Sequence, residues 1–219
     1  MKIALAVTLV IAGAMAFSFR EDVAGTSLFW IGLVVPHALL AAFGIYRFYR
    51  DGELLTVLRP RAGDVSIGAL IAAVMLGAGW LVKNGLFGPA TERAGWLLRL
   101  ALQLGGVKPS PQMVLAIALI ASLEELVWRG LVLHSLTESV GSRRAWPLAA
   151  LCYALAHLPT VFLLAIPVAG PNPVLLFAAA GCGLVWSFAA SLMGRLPAVM
   201  ISHAVFSYFA FVLLLPHFG

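Results

Sequence analysis

From Ala145 to Gly194 the chain runs fifty residues without one Asp, Glu, Lys or Arg. As a single helix this stretch would be about 75 Å long. The hydrocarbon core of a bilayer is only about 30 Å thick. The stretch must therefore turn back on itself, and Pro171-Asn172-Pro173 is the turn signal inside it. A soluble domain is about 45–50% apolar and about 25% charged, whereas this chain is 62% apolar and 11% charged. Its mean hydropathy is +1.02. These values place it in the membrane class before any motif is read.

Apolar runs long enough to span recur at about 3–19, 27–48, 65–87, 112–134, 146–166, 173–193 and 197–216. Backbone polar groups cannot go unpaired in lipid, so the runs are expected as helices. The expected fold is an all-α, polytopic bundle of about seven spans. Residues 1–219 form one membrane domain, with the motif-bearing core at about 112–210. Between spans, residues 90–110 carry Trp96, Leu97, Leu98, Leu100, Leu102 and Leu104 beside Arg93, Arg99 and Lys108. This pattern predicts an amphipathic helix lying at the interface. Ala14-Met15-Ala16 resembles a leader cleavage site, but the first run is read as a retained helix. The cysteines, Cys152 and Cys182, lie in apolar segments without metal-type spacing and read as small packing residues.

The formal charge is +5 and the pI about 9.7. No basic stripe with interleaved aromatics appears, so no nucleic acid is expected. The basic residues sit between apolar runs. With the N-terminus inside, the cytoplasmic side holds Lys2, Arg47, Arg50, Arg59, Arg61, Arg143, Arg144 and Arg195. The other side holds Arg20, Lys83, Arg93, Arg99 and Lys108. Positive charge favours the inside, so the reading is N-terminus in, in a bacterial inner (plasma) membrane.

Three formally charged residues fall deep in these runs: Glu124, Glu125 and Arg129. Each costs about 2.5–3.5 kcal/mol at a helix centre. Glu125 and Arg129 are four apart with the acid first, the favoured order for a helical ion pair. Glu124 points about 100° away and is left without that partner. A second carboxylate in low dielectric suits general-base work. His157 and His203 lie at comparable depth. Counted from the loop ends on one side at about 1.5 Å per residue, Glu124 is roughly 18 Å in, His157 roughly 16 Å and His203 roughly 10 Å. One cavity can therefore hold all three. His37 is read as a packing residue, and His134 and His217 as near-interface residues. No H-E-x-x-H zinc motif, serine-nucleophile motif or phosphate-binding loop occurs.

Three motifs follow in order. They are Glu124-Glu125-Leu126-Val127-Trp128-Arg129, then Tyr153 and His157 four apart, then His203 and Ser207 four apart. The pattern resembles the CPBP family, the CAAX-protease and bacteriocin-processing proteins, also called Abi or type II CAAX prenyl endopeptidases. Its motifs are E-E-x-x-x-R, F-x-x-x-H and H-x-x-x-N. Tyr153 stands where the family usually has Phe, and Ser207 where it has Asn. The resemblance covers about residues 112–210. It implies a glutamate-type intramembrane peptidase in which Glu124, helped by His157, activates a water. His203 and the residue four on would stabilise the oxyanion, and Glu125 with Arg129 would be a structural pair orienting Glu124. Serine offers one donor where Asn offers two, so Tyr208 or Ser202 is an alternative donor to Ser207. The implied substrate is a membrane-anchored or lipidated peptide or protein, and no cofactor is called for.

Other readings stay open. Glu124, His157 and His203 are also a His₂Glu set adequate for zinc. A bacteriocin-immunity or scaffold protein would bind a peptide in the same cavity without cutting it. A proton-relay transporter would use the same acids and histidines, but the two halves show no repeat of the kind many transporters carry.

Overall fold

The computed structural model describes residues 1–88, 91–106 and 110–216. His217 and Lys108 lie outside the described residues. The described regular structure is helical: α1 (Lys2–Ser18), α2 (Ser27–Arg50), α3 (Leu54–Leu58), α4 (Asp64–Leu86), α5 (Ala94–Gln103), α6 (Pro111–Glu125), a π-helical segment (Leu126–Val132), α7 (Leu133–Val140), α8 (Ser142–Ala156), α9 (Leu158–Leu163), α10 (Val174–Met193) and α11 (Pro197–Leu214). A short 3₁₀ turn, Glu21–Val23, joins α1 to α2.

Five stretches are long and apolar enough to cross a membrane: Ser27–Arg50, Asp64–Leu86, Ser142–Leu163, Val174–Met193 and Pro197–Leu214. Two of the seven expected runs differ. Lys2–Ser18 is an apolar helix of 17 residues, just short. The run carrying Glu124, Glu125 and Arg129 continues from α6 through the π segment into α7. The expected amphipathic segment is α5, with Leu97, Leu100 and Ala101 buried. At ten residues it is about 15 Å long, too short to span.

Helix ends gather on two faces, as alternating spans require. On one face Arg47 reaches Ser135 and Glu138, and His134 lies by Glu53 and Glu138. Arg195 pairs there with the buried Asp64. On the other, Gln103 donates to the carbonyls of Ser18 and Arg20, and Lys83 to that of Leu213. His134 thus sits near a helix-end charge network, as its position in the sequence suggested. The expected turn at Pro171-Asn172-Pro173 is held by Asn172. Its N–H bonds the Val161 carbonyl, its amide donates to the Trp96 carbonyl, and its side-chain oxygen accepts from Val174 N–H.

Lipid-like surroundings are written on the outside of the bundle. Leu5, Leu39, Leu70, Val74, Phe177 and Leu192 are well exposed, and in water such a surface would drive association. Inside, α6 and the π segment are flanked by α2, α8, α10 and α11. Small residues let backbones approach, as is usual between membrane helices. A Cβ on Gly68 of α4 would stand 2.6 Å from the Ala198 carbonyl oxygen of α11. Gly194, at φ +65°, closes α10 in the left-handed conformation that only glycine adopts freely.

Candidate active site

Glu124 and Glu125 are the last two residues of α6 and point into the bundle, both buried. Glu125 is the hub. One of its carboxylate oxygens, Oε1, accepts from Arg129 Nη1 at 3.0 Å and from His203 Nδ1 at 2.8 Å. The Glu125–Arg129 pair expected from the spacing is present, with both side chains fully buried. Arg129 also donates to the Gly183 carbonyl, and its guanidinium lies over the rings of Tyr153 and Trp186. Charge and ring faces together compensate a cation that would otherwise be costly in this medium.

His203, from α11, is set by three contacts. Its Nδ1–H is taken by Glu125, and its ring stacks on Trp186 with centroids 3.9 Å apart. Trp186 is itself anchored by its indole N–H to the Ser202 hydroxyl at 3.0 Å. Ser202 is therefore engaged in holding Trp186. The other ring nitrogen of His203, Nε2, faces Glu124 Oε2 at 3.9 Å, too long for a hydrogen bond. A neutral ring that donates from Nδ1 keeps a lone pair at Nε2, and only an imidazolium donates from both.

Glu124 has a closer partner that the sequence reading passed over. The Tyr153 hydroxyl donates to Glu124 Oε2 at 2.8 Å. Tyr153 was read as a mild replacement of phenylalanine. The added hydroxyl is in fact a charge-assisted contact on the central carboxylate. Gly183 of α10 permits it, since a Cβ there would stand 3.1 Å from the Tyr153 ring. Tyr153→Phe is expected to keep the fold and to change the pH dependence of any Glu124-based reaction. Superimposable pH–rate profiles for the two proteins would remove the role of the hydroxyl.

His157 sits where α8 breaks into α9. Pro159 has no N–H to give, so the α-helical ladder cannot run through this point. The His157 N–H bonds back three residues to Ala154, and its ring Nδ1–H is given to the Tyr153 carbonyl at 2.8 Å. The ring stands edge-on to Tyr153 at 4.8 Å, within electrostatic reach of Glu124. The structure thus brings Glu124, Glu125, Arg129, His157 and His203 together from α6 and the π segment, the α8–α9 break, and α11.

Ser207 lies one turn beyond His203, half-buried, and its hydroxyl makes no hydrogen bond to any described residue. Tyr208 packs on Phe209 instead. No group of three His, Cys, Asp or Glu among the described residues converges tightly enough to hold a metal ion. The reading of His37 as a packing residue needs correction. It is fully buried, and both Glu124 and His157 lie within its electrostatic reach. Its depth was the available signal. Thirteen residues separate it from the end of α2 at Arg50, roughly 20 Å, which matches the depth of Glu124.

Residues 106–209 match the family model described as Rce1-like, type II CAAX prenyl endopeptidase. The chain belongs to this family. The matched stretch contains all three motifs and every residue of the cluster except His37. Membership in the Rce1-like family makes the chain a protease of the CAAX type and a multi-pass membrane protein. No curated protein and no solved structure matched it.

Proposed function

We propose that this Rce1-like chain is an intramembrane endopeptidase that hydrolyses a peptide bond of a membrane-anchored or lipidated substrate, using a water activated by Glu124. The observation that carries the reading is the meeting of Glu124 with Tyr153, His157 and His203 inside the bundle. Glu124 takes one proton from the water as its oxygen attacks the scissile carbonyl carbon. The carbonyl oxygen becomes an oxyanion. As the intermediate collapses, the C–N bond breaks and Glu124 returns the proton to the leaving amine. His203 stands at the place for oxyanion stabilisation. To donate from Nε2 while Nδ1–H is held by Glu125, its ring must be the imidazolium, and Glu125 supplies the counter-charge. Preorganised donors of this kind act strongly where water is excluded.

In this reading α1 and the α6–π–α7 run also span, giving seven crossings by one domain, 1–219. The N-terminus faces the inside of a bacterial plasma membrane, where most of the basic loop residues lie. Ser207 adds one weak donor, and Ser207→Asn is expected to raise turnover by offering a second. An unchanged or lower rate would place the missing donor elsewhere.

The test is a comparison of membrane peptide termini by mass spectrometry. Wild type and Glu124→Gln are expressed at equal membrane levels in a strain lacking the native protein. New termini with wild type alone support the peptidase and define its substrate class. Identical profiles, with both forms rescuing a deletion phenotype, would leave the immunity or scaffold reading, which the unengaged Ser207 favours. A chelator arm separates direct glutamate chemistry, which survives it, from zinc chemistry at Glu124, His157 and His203, which does not.

A further inference from the structure

The family match begins at residue 106 and does not reach α2, yet α2 contributes to the surroundings of Glu124. The buried stripe of α2 is Phe29, Leu33, His37, Ala41, Gly44 and Phe48. Steps of three and four residues put these on one helix face. That face packs on α6 and the π segment. A Cβ on Gly44 would lie 3.5 Å from Leu131 Cβ and 3.7 Å from the Leu126 carbonyl oxygen. His37 is the one ionisable residue in the stripe.

Its local construction repeats that of His157. The His37 Nδ1–H is given to the carbonyl of Leu33, four residues back, at 2.8 Å. His157 does the same to Tyr153, also at 2.8 Å. In the neutral ring this bond fixes the tautomer and leaves Nε2 as an acceptor. His37 Nε2 is buried and has no hydrogen-bond partner among the described residues. Buried polar atoms without a protein partner commonly bind an ordered water.

We propose that His37 holds the hydrolytic water. One O–H of that water is donated to His37 Nε2 and the other to Glu124. The oxygen lone pair is thereby turned toward the scissile carbonyl. His37 is a positioning residue in this scheme, because the proton abstracted goes to Glu124. The assignment rests on the water-activation role of Glu124.

The test uses the full-length chain, labelled with [15N]histidine, in lipid nanodiscs. An unprotonated Nε2 resonance that vanishes in His37→Phe identifies His37. It is expected to show transfer from water protons and to shift in Glu124→Gln. With an internally quenched prenylated peptide as the probe, His37→Phe should lower kcat by about 10–100-fold at similar KM. His37→Gln, whose side-chain oxygen can accept at the same place, should recover much of that loss. A packing residue would show neither the NMR coupling nor the rescue. Cleavage by wild type with an Nε2 resonance indifferent to Glu124 overturns the His37 assignment alone. A wild type that cleaves nothing, in this assay or in the terminus comparison, sinks the peptidase reading and the hydrolytic role of His37 with it.

Discussion

Purified Glu124→Gln protein is expected to turn over a prenylated peptide about 10²–10⁴-fold more slowly than wild type, the range that a positioned general base supplies. Its thermal stability should be unchanged. Glutamine keeps the length and an acceptor oxygen, so the Tyr153 hydroxyl retains a partner at the position of Glu124 Oε2. Packing is preserved and only the proton-accepting carboxylate is lost. Glu124→Asp probes a different quantity. It keeps the charge but withdraws it by one methylene, and rates across a site fall steeply with misplacement. Turnover by Glu124→Gln within about tenfold of wild type would be incompatible with a base at this position.

Arg129→Met is expected to cost about 3–5 kcal/mol of folding stability, the usual result of removing one partner of a buried pair. The cost falls on Glu125. Its carboxylate has no solvent exposure, and its Oε2 already lacks a hydrogen-bond partner among the described residues. The variant also forfeits the bond to the Gly183 carbonyl and the ring contacts with Tyr153 and Trp186. Denaturation in detergent micelles measures the effect. The double variant Glu125→Gln/Arg129→Met should recover a large part of the loss, because no uncompensated charge remains in it. Equal instability of the single and double variants would show that packing of the arginine, not the charge of Glu125, carries the energy.

Much of this architecture was legible in the sequence because lipid leaves few options. An uncharged run of fifty residues has to be helix with a turn, and the turn is held by Asn172 between the two prolines that announced it. The Glu125–Arg129 pair was legible for the same reason, since spacing alone brings the two groups together. What spacing could not disclose is lateral neighbourhood. His203 meets Glu125 across 78 residues of sequence, and the Tyr153 hydroxyl meets Glu124 across 29. Depth counting says that such groups share a level, not which of them touch. Tyr153 was judged by its ring because its family counterpart is a ring, and the hydroxyl carried the information. His37 was lost because it stands outside the motifs, although its depth agreed with theirs. The break at His157 was written in Pro159, two residues on, and was hidden inside a run that otherwise reads as continuous helix.

The π-helical segment Leu126–Val132 has a bearing on how this chain can evolve. A π turn accommodates an extra residue in an α-helix, and each residue of helix is worth about 100° of rotation. The half before the segment aims Glu124 and Glu125 at α8 and α11, and the half after it aims Ser135 and Glu138 at Arg47 of α2. The two aims are set independently only because the intervening count differs from that of a plain helix. A lineage can exchange most side chains there for others of similar size. It cannot lose one codon from the segment without turning one set of acids away from its partners. The number of residues between the glutamates and Ser135 is thus an inherited constant of the molecule, held more firmly than most of the letters that fill it.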